Sequence, residues 1–431
     1  MSNKRLILIE LNEINFDYVK EYIKNNKLPN FKAIIDNRII ETTSEEKYEE
    51  LEPWVQWVSA HTGKTLAEHD VFRLGDVVNS DVKQIFEGVE AKGYKVGCIS
   101  AMNASNKLNK PSYFIPDPWT LTKSDDSFWS RKLTAVIQQV VNDNAQSKVS
   151  LKSLFLLLAG ILRFARFKNY PSYLKLALSV LKKPWSKAMF LDLFLHDVHW
   201  TLLQKKKPNF STLFINAGAH IQHHYLFNAQ PYENRENVKN PEWYISPDDD
   251  PLLDLLKLYD TIIGEYLNSD YDVIIATGLT QIPFTHEKYY WRIKNHSDFL
   301  KKLDINFKSV APRMTRDFLI EFSSEQDALI AEKKLSNVKS KSGNVFLFEE
   351  IDNRKTSLFV TLTYPHKLNQ EFEIINGDEQ IEVKDDLAFV AIKNGMHSPK
   401  GYLYLKGSFN EPLLQETHVK VIYKLIDEYF S

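Results

Sequence analysis

Apolar side chains early in the chain come in short unbroken runs, at 6–10 and 95–99. Between them lie stretches where they recur every three or four positions, at 16–25 and 82–92. Continuous runs of this length suit strands buried on both faces, and the longer spacing suits amphipathic helices. Strand alternating with helix is the rhythm of βαβ units and predicts a largely parallel sheet. The rhythm stops near residue 125 and resumes with an apolar run at 211–216. A helix at 251–267 then leads into a strand at 272–276. Asp248-Asp-Asp250 before Pro251 reads as that helix's cap, because carboxylates complement the dipole and proline suits a first turn. Three adjacent carboxylates would also suit a cation.

The texture changes after about 297. The pattern there predicts strand, helix, strand, strand at 316–322, 325–335, 344–348 and 357–363, a small α+β insert. A further strand at 387–392 reads as the return to the main sheet, and 416–429 as a closing helix. The expected organisation is a core in three parts, 1–125, 208–296 and 391–431. It is interrupted by a helical lobe at 126–207 and the insert at 297–390.

That lobe is where charge alters the picture. The whole chain has 54 basic and 56 acidic side chains, a net charge of −2, so nothing global suggests nucleic acid. Between Lys148 and Lys207, however, twelve Lys or Arg face only Asp192 and Asp197. Leu154, Leu158, Ile161 and Leu162, then Tyr173, Leu174, Leu176, Leu178 and Leu181, fit amphipathic helices with basic flanks. Three readings stay open for 148–207: a lobe packed on the sheet, an interfacial surface for anionic lipid or a lipid-linked substrate, and a docking face for a partner protein. The longest apolar piece, 154–162, is far short of the ~20 residues a spanning helix needs. The single Cys98 excludes an intramolecular disulfide and a thiolate metal cluster. The N-terminal apolar run is too short for a signal peptide, which reads as a cytoplasmic protein.

Five segments lie where strands end or helices begin: Leu6-Ile-Leu-Ile-Glu-Leu-Asn-Glu13, Glu52-Pro-Trp-Val-Gln-Trp57 through Thr62-Gly63, Asn216-Ala-Gly-Ala-His220, 272–279, and Gly395-Met-His-Ser-Pro-Lys-Gly401. Open α/β sheets place their chemistry in that crevice, at the carboxyl ends of the strands. In order and spacing the five resemble the alkaline phosphatase superfamily, in its type I phosphodiesterase/nucleotide pyrophosphatase branch. The fold implied is α/β, alkaline-phosphatase-like, with a largely parallel central sheet flanked by helices, a basic helical lobe and a small α+β insert.

Several positions depart from that pattern. Asn12-Glu13 stands where the family has Asp-Gly, and Glu52-Pro53 where it has its Thr or Ser nucleophile. Asn216 and His220 stand for its Asp-x-x-x-His, Gly278-Leu279 for its Asp-His, and His397-Ser-Pro-Lys-Gly401 for its final His-x-x-x-Gly. Two close cations bracket a displacement only when each has several deprotonated ligands. With Asn at 12 and 216, and no ligand at 278 or 279, a full dinuclear site is not expected. One divalent ion, zinc or manganese, held by His220, His397 and a third group is the expectation. His220 and His224, at i and i+4, share a helical face able to bind one metal.

The expected catalytic groups are Glu52, Asn12, His61, His220 and His397. The expected metal ligands are His220, His224 and His397. Trp54, Trp57, Asn216, Gln222, His223 and Lys400 are the expected substrate contacts. Glu52 reads three ways, as a cap on the helix starting at Pro53, a general base, or a metal ligand. Asp192, His196 and His199 share a helical face but read as structural. Arg292, Arg313 and Arg316 are further anion candidates. The implied function is hydrolysis or transfer of a phosphate- or sulfate-type ester by a hydrolase or transferase. The substrate expected is a small molecule or a glycan: a polysaccharide, nucleotide sugar or lipid-linked saccharide, since eight Trp and twenty Tyr supply stacking surfaces. Two other classes stay open: glycosyl or other group transfer with little metal dependence, and a non-catalytic module binding an anionic sugar or a protein.

Overall fold

The computed structural model describes residues 4–143, 151–232, 238–313, 316–409 and 416–431. The chain forms two compact units, and the first holds most of it, including residues 150–284 and 394–431. Its sheet has eight strands: β1 (Leu6–Leu11), β2 (Ile39–Thr43), β3 (Val96–Ile99), β4 (Tyr113–Ile115), β5 (Phe210–Ile215), β6 (Asp272–Ala276), β7 (Gly401–Lys406) and β8 (Glu416–His418). Their order is β8-β2-β7-β6-β1-β5-β3-β4. β7 pairs antiparallel with both its neighbours, while every other pairing is parallel. The architecture is therefore α/β with a mostly parallel central sheet flanked by helices.

β1 and β5 sit in the middle, and each is buried along its whole length. That explains their continuous apolar runs, since a strand covered on both faces has no polar alternate position. Leu6 and Leu8 pack with Trp57 and Ala60 of α1 (Pro53–Thr62) in one core cluster. The opposite face meets α4 (Ser186–Lys206), where His199 Nε2 is 2.8 Å from Ser211 Oγ. α2 (Leu151–Phe164) and α3 (Tyr170–Ser179) pack on α4. α5 (Ala217–Tyr225) follows β5, and α6 (Pro251–Leu267) precedes β6. Asp250 caps α6 as its sequence predicts, accepting from Leu253 N at 2.9 Å with Pro251 in the first turn. No helix among the described residues is long and apolar enough to cross a membrane.

The second unit contains Thr285–Lys393, where the sequence reading sets 297–390, together with the chain from Val140. A four-stranded antiparallel sheet, with Ser357–Thr361 and Asp317–Glu321 at its centre, packs with the helix Glu325–Leu335 around its own core. Arg316 lies 4.2 Å from the Tyr290 ring centroid and donates to Leu362 O. Three expectations change. Residues 344–348 form no strand; a single bridge joins Phe346 to Lys339. Leu387–Ile392 is a strand, but it pairs with Tyr289–Ile293 inside this unit, and the return to the main sheet is β7. The closing helix is shorter, Val421–Tyr429, because Glu416–His418 adds an edge strand, β8.

Candidate metal centre

The carboxyl ends of β1, β5 and β6 deliver Asn12-Glu13, Asn216 and Thr277-Gly278 to one edge of the sheet. The loop before β7 brings His397 to the same edge, through the pairing of Gly395–Ser398 with Thr280–Pro283. Glu13 N donates to Thr277 O at 3.0 Å, tying two of these strand ends together. Glu52 and α1 close the edge, with His397 Nδ1 at 3.9 Å from Glu52 Oε2.

Glu13 is the centre of the arrangement. Its Oε2 lies 3.2 Å from His223 Nε2 and 3.4 Å from His397 Nε2, and the two imidazole nitrogens are 3.3 Å apart. Hydrogen bonds alone fit this triangle poorly. If both nitrogens carry protons, the edge between them joins two donors, and if either lacks one, an edge to the carboxylate joins two acceptors. A cation suits it: bonds of about 2.0–2.1 Å at tetrahedral angles put neighbouring donors about 3.3–3.4 Å apart. Glu13, His223 and His397 are also the group of three ligand-type side chains that converge within 4.8 Å among the described residues.

The surroundings hold Glu13 for that task. It is buried, with φ of +63°, a left-handed conformation that costs a non-glycine residue of order 1 kcal/mol or more. Asn12 Nδ2 donates to its Oε1 at 3.1 Å, Gln281 Nε2 to its Oε2, and Gln222 Nε2 to its main-chain oxygen at 2.8 Å. Burial raises the pKa of such a carboxyl. The charges of His397 and His223 outweigh burial and hold it well below the usual carboxylate range. Glu13 is thus ionised when the imidazoles are charged, the state in which a cation of any kind stands opposite it.

The neighbouring corner is closed. Asn12 Nδ2 donates to Asn216 Oδ1 at 2.7 Å, and Trp57 Nε1 donates to Asn12 Oδ1 at 2.7 Å. The Trp57 indole is fully buried and lies against Gly278, where a Cβ would meet its ring carbons at 3.2 Å. Gly278 also has φ of +71°. The indole therefore occupies the space beside position 278, and the Asn12 amide is satisfied by Asn216 on one side and the indole on the other.

Several sequence expectations move accordingly. His223, expected as a substrate contact, takes the place given to His220 and His224. Those two face each other with ring centroids 4.5 Å apart, outside the triangle, and burial pushes the His220 pKa down to about 4. His61 lies away from the edge, in the core against Phe86, with Nε2 2.8 Å from buried Glu10. Trp57 is buried and Trp54 Nε1 is spent on Phe72 O, so neither is arranged as an open stacking platform. Gln222 is fully buried and supports Glu13, and Lys400 is paired with Asp17 at 3.1 Å and Glu41 at 2.8 Å. Glu52 occupies the N-cap position of α1 but its side chain makes no capping bond. Asp192 accepts from the backbone N–H of Asn216 and Ala217, and His196 and His199 bond Tyr266, all in the interior. Glu13 is the candidate ligand that sequence reasoning passed over. Its signal is an acidic residue where the resembling family has glycine.

No family model and no curated protein matches the sequence. Among solved structures, the chain is similar to a phosphonoacetate hydrolase from Sinorhizobium meliloti 1021, at 11% identity and a TM-score of 0.44, covering 100% of this chain and 96% of that one. It is similar to human ectonucleotide pyrophosphatase/phosphodiesterase 5 at 12% identity and 0.43, covering 99% and 95%. A TAB5 alkaline phosphatase mutant with Mg bound gives 10% and 0.43, covering 99% and 97%. At this degree of overlap the fold rests on the chain's own topology. These structural neighbours are alkaline phosphatase superfamily members, the nucleotide pyrophosphatase/phosphodiesterase branch among them.

Proposed function

We propose that the chain hydrolyses or transfers a phosphate- or sulfate-type ester at one divalent ion held by Glu13, His223 and His397. The observation that carries this reading is the triangle of donor atoms, with sides of 3.2, 3.3 and 3.4 Å, at the carboxyl edge of a parallel sheet. Two imidazoles and a carboxylate suit zinc first and manganese second, and three protein ligands are the number a catalytic site keeps. Such an ion supplies Lewis acidity and neutralises charge developing on an ester oxygen.

The chain's own groups do the rest. Glu13 brings the only negative charge in the triangle, and Asn12, Gln222 and Gln281 fix its position. His397 points Nε2 into the triangle and Nδ1 toward Glu52, which is 31% exposed. Glu52, half-buried at the start of α1 and free of capping duty, takes a proton from the attacking water or acceptor hydroxyl. Saccharide stacking finds no support in the placement of Trp57, so the substrate class stays at the ester itself.

The test is elemental analysis of protein purified without chelator, with turnover of an aryl phosphodiester measured alongside. One ion per chain is expected. Turnover should vanish on chelation and return with Zn²⁺ or Mn²⁺, and Glu13→Gln should weaken metal binding by about 100-fold or more. Metal-free protein that transfers a sugar or acyl group at full rate would replace this reading with the metal-independent transferase. An ion retained undiminished in the Glu13→Gln protein would remove the triangle from the site.

A further inference from the structure

We propose that α2, the turn after it and α3 form a docking surface for an anionic lipid membrane. On a helix packed against a globular core, the outward positions are ordinarily polar. Here they are not. α3 turns Tyr173 and Leu176 inward, where Tyr173 meets Phe190 of α4 with ring centroids 5.1 Å apart. Its outward side carries Leu174 and Leu178, 61% and 73% exposed, and Leu181 just past its end is 95% exposed. α2 repeats the arrangement. Phe164 is buried while Phe155, Leu158 and Leu162, at i, i+3 and i+7, face solvent. The turn between the helices adds Phe167, 85% exposed.

Charge selects the occupant. Residues 151–191 hold eight Lys or Arg and no Asp or Glu. Arg166 is committed to Asp197 and Glu265, Lys168 to Glu265, and Lys183 to Asp249 and Asp254. Arg163, Lys175, Lys182 and Lys187 are exposed and have no ion pair among the described residues. Arg163 and Lys175 therefore stand among the protruding apolar side chains of α2 and α3, Lys182 follows Leu181 past the end of α3, and Lys187 lies in the first turn of α4. Protein interfaces bury aromatic residues and arginine and exclude lysine from their centres. An anionic bilayer accepts both features at once: the leucines enter the acyl boundary, and lysines reach back to the headgroups on their aliphatic stems. Each basic residue near such a surface adds attraction that salt weakens. α2 and α3 would lie on the membrane, since no described helix is fit to span one.

Co-sedimentation of the full chain tests this, using vesicles of phosphatidylcholine alone and of phosphatidylcholine with phosphatidylglycerol. The chain should pellet with the anionic vesicles and much less with the neutral ones, and added salt should release it. Combining Leu174→Gln, Leu178→Gln and Leu181→Gln should weaken binding by about tenfold or more, as should Lys175→Glu with Lys182→Glu. All five positions are exposed, so each variant should keep the wild-type circular dichroism spectrum and its metal content. A chain that stays in the supernatant with both vesicle types overturns the proposal. If its mass by light scattering is then a dimer that the leucine variant separates, the face pairs two copies instead. Undiminished binding by both variants overturns the proposal as well.

Discussion

Two corners of the same cleft are built in opposite ways. Around Glu13 a carboxylate follows the amide at position 12, and His223 stands one helical turn beyond His220. The result is a compact triangle of ionisable donors. Around Asn12 and Asn216 the space is filled, with amide bonded to amide at 2.7 Å and an indole beside Gly278. One corner keeps the means to hold a cation. The other is occupied by packing and neutral hydrogen bonds. Asn12 belongs to both, donating to Glu13 and to Asn216. A single amide at one strand end thus supports one corner while closing its neighbour.

The sharpest probe of the open corner is Glu52→Gln, which keeps shape and hydrogen bonding but removes basicity. If Glu52 takes the proton in the reaction, turnover should fall by about 10²–10⁴-fold at unchanged metal content, and the acid limb of the pH–rate profile should disappear. If it acts only by orienting His397 through Nδ1, metal affinity should fall about 10–100-fold instead, and excess metal should restore turnover. Stability should hardly change, because its carboxylate caps nothing in α1.

The sealed corner can be broken by Asn12→Asp. The new carboxylate still accepts from Trp57 Nε1. It also sets an oxygen against Asn216 Oδ1 and Glu13 Oε1, where an N–H₂ now donates to both. The expected cost is about 2–3 kcal/mol at neutral pH, read as a lower urea midpoint that recovers as acid protonates the new group. Metal content should stay at one ion per chain, because Gly278 and Leu279 still supply no ligand. A second ion in this variant would mean the corner is only vacant of charge, and the contrast between the two corners would fail.

Much of this was legible in the sequence. The strand ends carrying Asn12, Asn216 and Gly278 follow from apolar runs that stop at polar residues, and a parallel sheet brings such ends to one edge. What escaped depended on rotation and partner choice. A histidine-rich segment predicts a helix with His220, His223 and His224 near one another, but which one faces Glu13 depends on how α5 is turned. That turn is set by distant contacts, from Asp192 on α4 and from Gln222 to the Glu13 backbone. Trp57 looks like any aromatic at a helix start until Gly278 vacates the room for its indole. The run at 387–392 announces a strand but not its partner. The period of α3 announces a helix, yet its leucines lie on both sides, so the inward face could not be chosen from spacing.

The smallest expected effect concerns the group behind both corners. Asp192 is buried and accepts from Asn216 N at 3.2 Å, from Ala217 N at 2.7 Å and from the Tyr259 hydroxyl. It thereby anchors Asn216 on the sealed side and the start of the helix that carries His223 on the open side. Burial pushes its carboxyl up to about 6, against a usual 3.8, although those hydrogen bonds pull the other way. The folded state then binds this proton more tightly than the unfolded chain does. The stability it contributes is complete below the ordinary value and is lost as pH rises through about 6. Relative to wild type, Asp192→Asn should therefore gain about 1–2 kcal/mol between pH 4 and 6.5 and stay level above that. Taking the difference between the two proteins cancels the histidines that work in the opposite sense over the same range, among them His69, His220 and His296, each lowered to about 4 by burial. Urea midpoints across that range would give the curve. A flat difference would mean that Asp192 remains an anion at the N-terminus of α5, with the helix dipole holding it charged. Both corners would then rest on a fixed negative charge beneath them.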